Sequence, residues 1–304
     1  MNNITGLKIG GSNLRDLESV KNIGNILKER NIERPYFIVV SAMYGMTRLL
    51  EKIHNANIEK NKTGKKLEMV KFYNEFIDFH ENIMNGLFAG KNPKASFRKL
   101  IEDFDETIMT AGFFSEALVK AEILSFGERF SSLILSNYLN SQNINNTLIR
   151  AFDFMVTSND FDNSIVCSEK TNQNIINQFT NLMQKNGIVI TEGFIGRTKI
   201  NGNPYYTNPG GWNGSDYTAK IIADALDAKK LIFYKDTFLM DVNPNEPGGE
   251  KAKKINSISY ENLRAKILDK SAGTILHEKV LLGKRIPIEI RSSLNPKEEG
   301  TKVF

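Results

Sequence analysis

Short β-branched runs alternating with amphipathic helical stripes predict an α/β protein, a three-layer sandwich with a mainly parallel central sheet. Three observations carry this reading. Ile4 to Ile9, Tyr36 to Val40, Gly187 to Thr191, Leu231 to Tyr234 and Ile286 to Ile290 are short and apolar, as buried strands are. Leu17, Val20, Ile23 and Leu27 recur at helical spacing between the first two runs. Met69, Phe72, Tyr73, Phe76, His80, Ile83 and Leu87 form a second, longer stripe, on which His80 reads as a hydrogen-bonded residue at the edge of the core.

Taken in order, the first strand leads into a helix, and the second into a segment from about Asn55 to Ser125 that is almost all helix. It is interrupted near Gly90-Lys91-Asn92-Pro93 and reads as an insertion over one end of the sheet. Asn201 to Ser215 is rich in Gly, Asn, Pro and Tyr, which predicts a β-hairpin and a tight loop before a helix from Asp216 to Leu226. Pro244 to Gly249 reads as a loop. The chain reads as a single domain over 1–304, with an N-terminal lobe of about 1–198 that includes the insertion 55–125. A C-terminal lobe of about 199–304 completes it, and the change-over lies near Gly196 to Gly202.

The bulk properties narrow the function classes. A net charge of +5 over 304 residues, with lysines spread along the chain and no basic arm, does not indicate nucleic-acid binding. It suits an enzyme that handles phosphates and carboxylates. The one cysteine, Cys167, excludes an intramolecular disulfide and reads as a partly buried small apolar residue. The three histidines lack metal-ligand spacing. No apolar window approaches the roughly 18 residues of a membrane span, and Met1 to Ser12 lacks a signal segment, so a cytoplasmic location is expected.

Two glycine-rich turns carry chemistry. Lys8-Ile9-Gly10-Gly11-Ser12 ends the first strand just before a helix, where glycines let amides approach a phosphate and Lys8 can neutralise charge on a transferred group. By itself Gly-Gly after a strand is more often just a turn. The second turn is Gly210-Gly211-Trp212-Asn213-Gly214-Ser215-Asp216. Ser215 is placed to cap the following helix, and Asp216 sits in its first turn, which a capped helix start already explains. The functional reading adds that Asp216 holds Lys8 while the loop amides embrace phosphates.

With these residues in view, the sequence resembles the catalytic domain of the aspartokinases, within the amino acid kinase superfamily. Lys8-Ile9-Gly10-Gly11-Ser12 is similar to their Lys-Phe-Gly-Gly-Thr. Val39-Val40-Ser41-Ala42-Met43-Tyr44-Gly45-Met46-Thr47 is similar to Val-Val-Ser-Ala-Met-Gly-Gly-Val-Thr, and Ser125-Phe126-Gly127-Glu128-Arg129-Phe130-Ser131 to Ser-Phe-Gly-Glu-Arg-Leu-Ser. Gly193-Phe194-Ile195-Gly196, Gly214 to Ala219, Ile286-Pro287-Ile288 and Asn295 to Thr301 follow in the family's order, over essentially the whole chain.

The resemblance implies the amino acid kinase or carbamate kinase-like fold. It implies transfer of the γ-phosphoryl group of ATP to the side-chain carboxylate of aspartate or a related amino acid, with Mg2+ held mainly by the nucleotide phosphates. The acceptor is already a nucleophile, so positioning and charge neutralisation carry the catalysis. By similarity Lys8 stabilises the phosphoryl group and Asp216 organises Lys8. Gly10 and Gly11 bind phosphate through their amides, together with Ser12, Gly214, Ser215, Lys235 and Asp236. Ser41, Thr47, Glu128 and Trp212 line the amino-acid pocket, with Glu128 taking the ammonium. Without the family motif, Glu128 reads as a helix-surface ion-pair residue beside Arg129. The family continues into ACT domains where this sequence stops at Phe304, so feedback inhibition through that route is not expected. A homodimer is expected by analogy alone.

Four departures qualify the match. The family's Gly-Arg-Gly-Gly-Ser-Asp has Trp212 in place of Arg. Losing a pocket Arg typically costs about 2–5 kcal/mol when its partner carboxylate remains, unless Arg48 or Arg197 substitutes. On the nucleotide side Asn243 and Asn245 replace an Asp and an Arg, one residue fewer precedes that turn, and Thr274 replaces a Lys. Lys251, Lys253, Lys254 and Lys270 read as a solvated face. Two further readings follow: a kinase for a modified or carrier-bound amino acid, and a catalytically weak homologue that serves as a binding module.

Overall fold

The computed structural model describes residues 3–30, 32–88, 95–211, 214–243, 249–269 and 276–304. In chain order the elements are β1 (Thr5–Ile9), α1 (Leu17–Glu29), β2 (Tyr36–Val40), α2 (Met46–Thr63), α3 (Leu67–Leu87), α4 (Ala95–Thr110), α5 (Glu116–Ser141) and β3 (Thr147–Ile149). There follow α6 (Ala151–Phe154), α7 (Ser168–Asn186), β4 (Ile188–Glu192), β5 (Gly196–Ile200), β6 (Asn203–Thr207), α8 (Gly214–Ala225) and β7 (Lys230–Lys235). The chain closes with β8 (Ser257–Ile258), α9 (Tyr260–Leu268), β9 (Ile288–Ser292) and β10 (Thr301–Val303).

Among the described residues, eight strands form one sheet in the order β3-β4-β2-β1-β7-β9-β10-β8, parallel throughout except where β10 runs against β9. The α/β expectation holds, and the strand pleat explains the layering. On β1, β2 and β7, Leu7, Ile9, Ile38, Val40 and Ile232 face a core shared with α1 to α5. The alternate residues Phe37, Val39, Leu231 and Phe233 face a second core shared with α6 to α9. Because helices cover both faces, the central strands are apolar on both sides and read as continuous runs. β1 lies mid-sheet, with Lys8 opposite Val39 on one side and Phe233 on the other.

Several boundaries differ from expectation. Helices α2 to α5 begin at Met46 and end at Ser141, beyond the expected Asn55 and Ser125 at both ends. α5 is buried on nearly every side, from Leu118 through Leu139, and so shows no amphipathic stripe. The hairpin begins at Gly196 and turns at Asn201 and Gly202, whose φ angles of 51° and 86° suit a two-residue hairpin turn. The last long strand is Ile288–Ser292, two residues beyond the expected run. Cys167 is exposed, just ahead of α7, contrary to the expected partial burial. His80 is fully buried, its Nδ1 2.8 Å from the Phe76 carbonyl and its ring packed on Phe76, Phe79 and Phe130. The interruption at Gly90 to Pro93, and the loop at Pro244 to Gly249 apart from Gly249, lie outside the described residues. No described helix is long and apolar enough to cross a membrane.

Candidate active site

A cavity of about 370 Å³ is lined by residues that follow β1, β2, β4 and β7, where ligands bind in open α/β sheets. Lys8, Gly10, Gly11 and Ser12 come from β1 and its turn, Ser41 and Thr47 from the turn after β2 and the start of α2, and Glu128 from mid-α5. Gly214, Ser215 and Lys235 complete the predicted set, alongside Tyr44, Arg48 and Phe194. Thirteen residues were expected to form the site, and ten of them line this one cavity.

Asp216 sits directly behind it, fully buried, joined to Lys8 Nζ at 2.7 Å through Oδ1 and to Lys235 Nζ at 3.0 Å through Oδ2. The His277 amide also donates to Oδ2, at 3.3 Å. Two ammoniums share one carboxylate, so the cluster keeps a net positive charge in a desolvated place. Burial alone would raise the Asp216 carboxyl, but Lys235 and Lys8 outweigh it and hold it down at about 2. Burial, with repulsion from Lys235, lowers Lys8 from 10.5 to about 8 against the pull of Asp216. Such a cluster is completed by an anion.

Close backbone approach explains the glycines. A Cβ on Gly11 would lie 2.6 Å from the Ala42 carbonyl oxygen, so the β1 and β2 turns can meet only if residue 11 is glycine. A Cβ on Gly193 would run into the side chain and Cα of Ser215, so Gly193 lets the start of α8 reach the sheet edge. Gly10 serves a different role from the one expected: its N–H donates to the Tyr234 carbonyl at 3.3 Å and is already engaged. Phe194 holds a left-handed φ of 61°, costly for an aromatic residue, with its amide bonded to Thr218 Oγ1 at 3.1 Å.

Ser215 does not cap α8, which begins one residue earlier at Gly214; its hydroxyl instead donates to Glu128 Oε1 at 3.5 Å. Glu128 is 4% exposed, and its Oε2 has no hydrogen-bond partner among the described residues. Burial raises its carboxyl from 4.5 to about 8. It makes no pair with Arg129, which bonds Asp103 at 3.0 Å instead. Asp236 lies off the cavity and pairs with Arg15 at 3.2 Å, both partly exposed. Arg197 lies on the hairpin, its guanidinium 5.7 Å from the Phe152 ring centre. Trp212, Asn245 and Thr274 lie outside the described residues.

His277 went unassigned in the sequence. Its Nδ1 accepts the Lys279 N–H at 3.1 Å, so Nε2 carries the proton and donates to the Gly210 carbonyl at 2.9 Å. It thereby ties the glycine turn to Asp216, a link between residues far apart in sequence. Among the described residues no group of three or more His, Cys, Asp or Glu could hold a metal ion.

The model of the amino acid kinase family matches residues 5–292. The chain belongs to the amino acid kinase family. An aspartokinase of Chlamydia trachomatis is 27% identical over 97% of this chain and 63% of its own length. The lysine-sensitive aspartokinase 3 of Escherichia coli is 24% identical over 100% of this chain and 64% of its own. The chain thus spans about two-thirds or less of the length of these relatives. Among solved structures, E. coli aspartokinase III in complex with aspartate and ADP superposes with a TM-score of 0.85 at 23% identity, over 99% of this chain and 64% of that one. A Giardia lamblia carbamate kinase bound to AMP-PNP gives 0.57 at 11% identity, over 100% of this chain and 98% of that one. These structures share the amino acid kinase fold with this chain.

Proposed function

We propose that this amino acid kinase transfers the γ-phosphoryl group of ATP to a carboxylate of aspartate or a closely related amino acid. The observation that carries the reading is the Lys8–Asp216–Lys235 cluster beside a cavity whose other wall holds the buried Glu128. The E. coli relative, solved with aspartate and ADP, supports it. The division into an amino-acid side of about 1–198 and a nucleotide side of about 199–304 belongs to the same proposal.

In this mechanism the substrate ammonium meets Glu128, and its proton-bearing charge draws the carboxyl back to the ionised form. An oxygen of the acceptor carboxylate forms a bond to the γ-phosphorus as the bond to the β–γ bridging oxygen breaks. ADP departs with that electron pair and an acyl phosphate remains; no proton moves. Lys8 and Lys235 neutralise charge spreading over the transferred oxygens, and Asp216 fixes both ammoniums. The Gly11 amide is the phosphate donor of the first turn, since Gly10 is bonded to Tyr234. Both Asp216 oxygens are paired with lysines, so Mg2+ brought in with the nucleotide would add charge neutralisation at the phosphates without drawing a ligand from Asp216.

ADP release from MgATP over a panel of amino acids tests the proposal. Turnover should peak on an acidic amino acid, and folded protein inactive on all of them contradicts it. Trp212 motivates the second reading, a modified or carrier-bound acceptor. Under that reading Trp212→Arg raises activity on free aspartate. Calorimetry that finds no MgATP binding below millimolar would favour a binding module.

A further inference from the structure

The two ring nitrogens of His277 do different work. Nδ1 accepts the Lys279 N–H at 3.1 Å and so caps the short helical turn Glu278–Leu281. Nε2 donates to the Gly210 carbonyl at 2.9 Å, and the backbone N–H of the same residue donates to Asp216 Oδ2 at 3.3 Å. The ring lies against Tyr217, with centres 5.9 Å apart and planes 19° from parallel. Leu276 and Val280, on either side in sequence, are buried in the second core, so the fold itself sets where His277 stands. Gly210 is the informative partner. It opens the glycine turn at a left-handed φ of 80°, and Gly211 follows at 59°. Two successive left-handed glycines have no side chain to fix them, so a bond from another element sets the place of the turn.

We infer that His277 is a positioning residue for phosphoryl transfer, holding the glycine turn in register with the lysine cluster through its Nε2–H bond to Gly210 and its amide bond to Asp216. The turn ends in Gly214 and Ser215, which line the cavity, and Asp216 follows directly behind it. Lys8 and Lys235 come to the same cavity from β1 and β7. A phosphate held between them is met from two separate elements, and a shift of either one misplaces charge at the transferred group. His277 joins the two from outside, since it is not among the residues that line the cavity. The cap on Lys279 is a separate, structural duty of the other ring nitrogen, and chemistry can divide the two duties. A Gln side chain puts an amide N–H where Nε2 stands and leaves the cap open. An Asn side chain puts an acceptor where Nδ1 stands and leaves Gly210 unbonded.

This role rests on the kinase reading for what the turn and the lysines hold, so the test measures nucleotide binding and stability as well as turnover. Calorimetry with MgAMP-PNP, kcat and KM for MgATP, and thermal unfolding are compared between His277→Gln and His277→Asn on the full chain. Both variants lose the ring contact with Tyr217, so the comparison between them isolates the two hydrogen bonds. His277→Asn should bind MgAMP-PNP about tenfold more weakly than His277→Gln, with a matching fall in kcat/KM for MgATP, the size of one hydrogen bond to a buried acceptor. His277→Gln should nevertheless melt about 2 °C below His277→Asn, because it lacks the cap. A residue with a merely structural role gives the same order in both measurements; here the two orders cross. Equal nucleotide affinities, or affinities that follow the melting temperatures, overturn the positioning role. The crossed pattern in binding and stability without ADP release would overturn only the kinase reading, and a folded wild type that binds no nucleotide overturns both.

Discussion

Glu128→Gln replaces a buried carboxyl by a neutral amide of nearly the same shape, and its effect on stability can be worked out from the site. Burial lifts the Glu128 carboxyl from 4.5 to about 8, so the folded chain keeps a proton that the unfolded chain releases. The folded state is therefore increasingly disfavoured as pH climbs from 4.5 towards 8, and untouched by this group below 4.5. At about 1.4 kcal/mol per pH unit, the penalty reaches about 3 kcal/mol at pH 7 and less than about 1 kcal/mol at pH 5. Gln carries no such penalty. The variant should melt about 5 °C above the wild type at pH 7, with little difference at pH 5. The same change should abolish tight amino-acid binding, a trade of function for stability. Thermal unfolding at the two pH values, without ligand, is the assay. A Tm gap that does not widen with pH, or a variant less stable at pH 7, would refute the idea that Glu128 is held buried and uncompensated for a ligand.

Three further predictions concern the site, two of them the lysine cluster. Lys8 is lowered to about 8 by burial, so its ammonium is present below that pH and lost above it. The profile of kcat/KM for ATP should fall above about pH 8, with the limb in kcat displaced upward because bound phosphates raise the Lys8 pKa; a flat profile to pH 10 would contradict this. Asp216→Asn leaves two buried ammoniums without their carboxylate. It should cost about 3–5 kcal/mol in a urea titration and remove most turnover, and adding Lys8→Met should recover part of the stability but none of the activity. Gly193→Ala drives a Cβ into Ser215, so it should cost about 1–3 kcal/mol and weaken amino-acid binding by shifting Ser215 and the start of α8, measured by urea titration and calorimetry.

The parts of the fold that were legible in the sequence are those whose physics is local. β1, β2 and β7 are covered on both faces, so each is a compact apolar run that could be read directly. β3, β8 and β10 have only two or three residues each, too few for any periodicity, and were not anticipated. α5 was read only in part because a helix buried all round presents no stripe. The site was legible through its glycine turns and its resemblance, which placed Lys8 and Asp216 together. What they could not convey was the division of labour at contact distance. Nothing local indicates that the Gly10 amide is taken by Tyr234, that Ser215 turns to Glu128 instead of capping its helix, or that the His277 amide reaches Asp216. These contacts join residues from 61 to more than 200 positions apart, and only the packed sheet sets them.

An acyl phosphate reacts with hydroxylamine to give a hydroxamate, which reports the proposed product itself and not merely nucleotide consumption. Wild-type chain given MgATP, L-aspartate and hydroxylamine should accumulate hydroxamate in step with ADP, and Lys8→Met should lower that rate at least about a hundredfold while remaining folded. Folded wild type that binds MgATP yet forms hydroxamate from no amino acid, or a Lys8→Met variant as fast as wild type, would contradict the assignment of the Lys8–Asp216–Lys235 cluster as the phosphoryl-transfer centre.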